Sequence, residues 1–168
     1  MKAVVQRVAH ARVEVSGEVV GSIDHGLLVY LGVAQGDSER DLEWLANKVL
    51  NLRVFEDEQG KMNRDVSQVG RGSLLVISQF TLLGDCKKGN RPSFAMAMPP
   101  EQAEKMYESF VAMVRDNGRD KGVSVSTGRF RADMKVHSLN DGPITMLIDS
   151  RDGEAKEPAL ASTVPSQG

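Results

Sequence analysis

The chain has 168 residues, a formal net charge of −2 and one cysteine. A chain of this length buries about two-thirds of its unfolded surface, so a single domain can fold around one core without a metal or a disulfide. Cys86 alone excludes an internal disulfide, no apolar run approaches the ~18 residues of a membrane span, and the slight negative charge excludes a protein that coats DNA or RNA nonspecifically. A soluble cytoplasmic protein is expected, with no membrane and no DNA among its partners, and an RNA would have to meet a local basic patch.

Lys2 to Val8 and Arg12 to Ser16 alternate apolar and polar residues, and Val19 and Val20 follow Ser16-Gly17-Glu18, so the chain is predicted to open with a hairpin. Leu27 to Val33 is a continuous apolar run flanked by Gly26 and Gly36, which predicts a strand in the sheet centre. Ser38 predicts a helix cap, because Leu42, Leu45, Ala46, Val49 and Leu50 recur on one helical face and Asp37, Glu39 and Asp41 lie near its positive end. Leu74 to Ile77 predicts a buried strand, and Gly84 to Arg91 a polar loop. Pro99-Pro100 opens a second helix with the stripe Ala103, Met106, Tyr107, Phe110, Val111 and Val114, and Gly118 is its expected stop. Val123 to Ser126, Met134 to Leu139 and Ile144 to Ile148 predict three further strands. Two helices against many strands indicate an α+β domain over residues 1–150 rather than a repeating βαβ fold. Arg151 to Gly168, short of large apolar residues and holding Pro158 and Pro165, reads as a disordered tail.

Familiar hydrolytic machinery is missing from the sequence. There is no Gly-x-Ser-x-Gly elbow, and His10, His25 and His137 are scattered, with no spacing suited to a metal, so no cofactor is expected. Cys86 beside Lys87 and Lys88 is either a nucleophile without a base or an incidental loop thiol. Gly84 to Gly89 has the spacing of a phosphate loop, but Asn90-Arg91 follows it and no helix begins there. Two other motifs stand out. Ser78-Gln79-Phe80-Thr81-Leu82 places polar side chains and free amides where a buried strand stops. Asn140-Asp141-Gly142-Pro143-Ile144-Thr145 contains the dipeptide best suited to a cis bond or a tight turn.

These two motifs, with Gly26-Leu27-Leu28-Val29, Phe55-Glu56-Asp57, Gly60-Lys61-Met62-Asn63, Arg91-Pro92-Ser93-Phe94 and Ala132-Asp133-Met134, resemble the D-aminoacyl-tRNA deacylases over roughly the first nine-tenths of the chain. Two positions depart from that family, Ile144 in place of valine and Arg131 in place of a small residue, usually glycine. The resemblance implies a three-layer α/β/β arrangement with mainly antiparallel sheets, a homodimer, and hydrolysis of the ester between a D-amino acid, or glycine, and the 3′-terminal adenosine of tRNA. It implies catalytic roles at Ser78, Gln79, Phe80 and Thr81, and substrate binding with rejection of L-amino acids at Asn140, Gly142 and Pro143, the rejection made by the Gly142-Pro143 backbone. Read from the residues alone, Thr81 is a nucleophile or a strand-end hydrogen bonder, Phe80 stacks on a base or joins the core, and Gly142-Pro143 is an ordinary turn, which the resemblance alone turns into a wall at the substrate. Lys87, Lys88 and Arg91, and separately Arg129, Arg131 and Lys135, are candidate tRNA phosphate contacts or solvated faces. The alternatives to the deacylase reading are a noncatalytic RNA-binding or subunit-interaction module and a serine- or cysteine-type esterase.

Overall fold

The computed structural model describes residues 1–153. In chain order they form β1 (Lys2–Val15), β2 (Glu18–Ile23), β3 (Gly26–Gly32), α1 (Glu39–Leu50), the small hairpin β4 (Phe55–Glu56) and β5 (Met62–Arg64), β6 (Ser73–Ser78), α2 (Pro100–Arg119), β7 (Ser124–Thr127) and β8 (Lys135–Asp149). The domain is α+β with two principal helices, and the opening hairpin turns at Ser16-Gly17 as expected. Strand β1 is the spine: along one edge it pairs first with β3 and then with β2, and along the other it pairs with β8 from end to end, all antiparallel.

Beyond β3 the pairing changes sense. Strands β3 and β6, and β6 and β7, are parallel, an arrangement the sequence reading did not anticipate. Each of these connections carries a helix, α1 between β3 and β6 and α2 between β6 and β7. Parallel neighbours need such a crossover, and burial on both faces explains the unbroken apolar runs Leu27–Leu31 and Leu74–Ile77.

Side chains of these strands alternate between two cores. Leu27, Val29, Leu31, Leu74 and Val76 pack with both helices, while Leu28, Leu75 and Ile77 pack on the opposite face against Val8, Ala11 and Val13 of β1 and Ile23 of β2. The stripe on α1 buries the five expected positions. That on α2 buries Tyr107, Phe110, Val111 and Val114, with Ala103 and Met106 only partly covered. Gly118 does not stop α2. It is buried in the last turn, where its missing side chain admits Val123, and the left-handed residue that redirects the chain is Gly122, at φ +72°.

The two expected strands Met134 to Leu139 and Ile144 to Ile148 are one strand. The pairs Val8–Asn140 and Gln6–Thr145 keep β8 in register with β1 on both sides of an outward bulge, which contains Gly142 and Pro143 joined by a cis peptide bond. Arg151 to Gly153 belong to a 3-10 turn that meets α1, and the rest of the expected tail lies outside the described residues.

At the start of α1 the Asp41 carboxylate accepts from the Ser38 N–H at 2.9 Å, from Ser38 Oγ at 2.8 Å and from Ser150 Oγ at 2.7 Å. Burial pushes this carboxyl up, but those hydrogen bonds and the nearby Met1 ammonium outweigh it and hold it at about 2 instead of 3.8. Between those values the unfolded chain binds the proton that the folded one refuses, so the contribution is whole above pH 4 and is lost as pH falls toward 2. Urea unfolding from pH 5 to pH 2.5 is expected to show stability falling with pH, and Asp41→Asn, which cannot titrate, is expected to flatten that slope while lowering stability near neutrality.

Candidate active site

Strand β6 delivers its last residue, Ser78, half-buried at the sheet edge. Gln79 then turns the chain, its N–H donating to the Leu31 carbonyl of β3 at 2.7 Å, and a 3-10 turn runs over Phe80–Leu83. The turn can dock there because residue 32 is glycine: a Cβ on Gly32 would stand 2.9 Å from the Gln79 carbonyl oxygen and 2.5 Å from Leu83 Cδ2. The first amide of the turn to bond back is that of Leu82, to the Gln79 carbonyl at 3.3 Å. The N–H groups of Phe80 and Thr81 precede it and have no backbone acceptor among the described residues, as expected for the start of a helical turn.

A cavity of about 600 Å³ opens beside this turn. Ser78, Gln79 and Phe80 line it, with Phe94, Met98, Pro99 and Phe130 among the apolar walls and Arg131 and Asp133 at its rim. Phe80 is 58% exposed and meets Phe94 edge-on at 5.0 Å between centroids, so it is no core residue. Phe130 is backed by Tyr107, 5.7 Å away. Burial pushes the Tyr107 hydroxyl up to about 12, against an opposing effect of Arg115, and it donates to the Val76 carbonyl of β6 at 2.8 Å.

The structure separates several residues that the sequence groups together. Thr81 is exposed and does not line the cavity; its hydroxyl takes a hydrogen bond from Gln79 Nε2. Lys87, Lys88 and Arg91 project from an exposed loop closed by paired Asp85 and Ser93 backbones, and Lys87 borders a different recess, with Asp37 and Arg151. Phe94, just past that loop, ties it to the site.

Gly142 and Pro143 do not line this cavity; both are exposed on the bulge of β8. The bulge is braced from behind. Asn140 Nδ2 donates to the carbonyls of Arg7 at 2.9 Å and Ile144 at 3.0 Å. Arg7, buried, donates from a terminal nitrogen to the Val54 carbonyl at 2.7 Å, and its Nε stands 2.9 Å from the Asp141 carboxylate without the alignment of a hydrogen bond. Sequence reasoning gave no role to Gly32, Phe94, Met98 or Phe130. The signal for Gly32 is a glycine closing an apolar strand, and that for Phe94 an exposed aromatic after a polar loop.

The sequence profile described as D-Tyr-tRNA(Tyr) deacylase matches residues 4–149, a span that holds both motifs, both helices and all eight strands but for the first two residues of β1. The chain belongs to the D-Tyr-tRNA(Tyr) deacylase family. Among its family relatives, a D-aminoacyl-tRNA deacylase of Geobacter sulfurreducens is 54% identical over 151 residues, covering 90% of this chain and 96% of that one. One from Thermotoga petrophila is 55% identical, covering 89% and 97%. A solved structure titled c-Myc DNA Unwinding Element Binding Protein superposes with a TM-score of 0.82 at 45% identity, over 89% of this chain and 98% of that one. A probable eukaryotic D-amino acid tRNA deacylase shares the fold at a TM-score of 0.74 and 16% identity, over 88% and 98%.

Proposed function

We propose that this deacylase-family protein hydrolyses the ester between a D-amino acid, or glycine, and the 3′-terminal adenosine of tRNA, and so clears mischarged tRNA during translation in the cytoplasm. The observation that supports this reading is the cavity at the end of β6, lined by the aromatic rings of Phe80, Phe94 and Phe130 and by Ser78 and Gln79, with the Phe80 amide left without a backbone acceptor among the described residues. The amide of Phe80 faces the carbonyl oxygen as it gains charge, and one well-placed donor of this kind lowers the barrier by about 3–4 kcal/mol. Phe80 stacks on the adenine, an interaction of about 1–3 kcal/mol. Water attacks, oriented by the neighbouring ribose 2′-OH, so no side-chain nucleophile is required. Lys87, Lys88 and Arg91 reach toward the acceptor-stem phosphates from the loop beside the site.

The working form is a homodimer of three-layer α/β/β protomers. Supporting this are the outer edge of β8, which no described strand covers, its exposed Leu139 and Leu147, and the position of Gly142-Pro143 outside its own cavity. Each bulge inserts into the partner's cavity, where its backbone leaves space for hydrogen or a D side chain and excludes an L side chain; rejection by clash needs no reading of side-chain identity. The related structure named for a DNA element favours one second reading, nucleic-acid binding without hydrolysis. Purified protein given matched D-, L- and glycyl-tRNA decides between them. Release of D-amino acid and glycine with the L-ester spared is the expected result, and binding without release from any ester would establish the second reading.

A further inference from the structure

Arg131 is the third residue of a four-residue turn closed by the Ala132 N–H donating to the Arg129 carbonyl at 3.2 Å. Its φ is +59°, a place where glycine is favoured and a long side chain is strained. This chain nevertheless holds an arginine there. Its side chain is exposed at the rim of the cavity, and it is the one cationic residue among those lining it. The nearby acid, Asp133, faces Lys135 at 4.0 Å, and the guanidinium forms no ion pair among the described residues. Ala132 and Asp133 also border a neighbouring recess of about 470 Å³ that contains Lys135. Arg131 therefore stands exposed at a cavity whose aromatic residues Phe80, Phe94 and Phe130 can seat the last ring of a polymer.

We propose that Arg131 is a substrate-binding residue, gripping the phosphate that joins the terminal nucleotide to the one before it. The inference rests on the nucleic-acid reading given above and adds to it a tighter hold on the 3′ end. A guanidinium suits a phosphate because it donates two parallel hydrogen bonds and keeps its charge when partly dried.

Arg131→Gly, Arg131→Ala and Arg131→Lys test it, with KM and kcat for D-tyrosyl-tRNA, the salt dependence of binding to uncharged tRNA, and thermal unfolding. Removing one charge–phosphate contact is expected to raise KM about tenfold in Arg131→Gly with kcat little altered, and to lower the slope of log K against log salt by about one. The glycine variant is expected to melt higher than the parent, since it relieves the strained φ, and the lysine variant to keep the full slope while losing part of the affinity. A glycine variant whose KM and slope match the parent's overturns the proposal, as does an alanine defect that glycine fully restores, which would assign the effect to the backbone. If the parent releases no D-amino acid, the catalytic reading falls, but the slope on uncharged tRNA still decides the role of Arg131: a drop of about one sustains it and no drop sinks it.

Discussion

Gly142→Ala is expected to remove most turnover of D- and glycyl-tRNA while leaving the protein folded. At φ +119° residue 142 occupies backbone space that side chains rarely enter, and a Cβ there would stand 2.7 Å from Ile144 Cγ1 and 3.0 Å from the Ile144 nitrogen. Strain of this kind costs about 1–3 kcal/mol, and the exposed bulge can shed it only by moving. Such movement is resisted from within, because Asn140 ties the carbonyls of Arg7 and Ile144 together and Asp141 faces the Arg7 guanidinium. In the role proposed for the bulge, the displaced carbonyls would then either crowd the substrate's α-carbon or retreat from it. A displacement near 1 Å costs about 100-fold in rate, so kcat is expected to fall by that order, or L-esters to begin to be cleaved. Kinetics on D-, L- and glycyl-tRNA, with a melting curve and a measurement of oligomeric state, check this. A folded variant with parental rates and full rejection of the L-ester would put the chiral filter somewhere else.

The second large effect separates the RNA's chemistry from the protein's. A D-aminoacyl-tRNA whose terminal ribose lacks the hydroxyl beside the ester is expected to be cleaved about 10²- to 10⁴-fold more slowly, the usual size of a lost proton-transfer partner. Thr81→Ala is expected to stay within about tenfold of the parent, because its hydroxyl lies outside the cavity and loses a hydrogen bond of about 1 kcal/mol to Gln79. Single-turnover assays on both substrates rank the two losses. The opposite ranking, or a trapped acyl-threonine, would make Thr81 the nucleophile.

What the sequence disclosed and what it withheld divide along a physical line. Both helices were legible because a stripe such as Leu42, Leu45, Ala46, Val49 and Leu50 is a local pattern. The pairing of β3 with β6 and of β6 with β7 was not, since burial on both faces erases alternation and nothing in Leu74 to Ile77 states which neighbour runs alongside. The single strand β8 was read as two because Gly142 and Pro143 break the local pattern, whereas the irregular register of β1 near Val8 absorbs the interruption. At the site, Ser78 to Phe80 could be found as polar residues ending a buried run. Phe94 and Phe130 could not, since only the folded chain brings them to the same cavity, and the separation of Gly142-Pro143 from that cavity is a fact of three dimensions alone.

The pairing of β1 with β8 sets the order in which the molecule is made. Lys2 pairs with Asp149, so the spine of the sheet keeps one edge bare until nearly the whole chain has been synthesised, and the long loop this contact closes makes it a late and slow one. The bulge of β8 is braced by Arg7, from the first strand synthesised. Its shape is thus completed only when the two ends of the domain meet: a truncated or still-emerging chain would hold the β6 cavity's residues and both helices, yet would lack the part of the surface assigned here to telling one hand of an amino acid from the other.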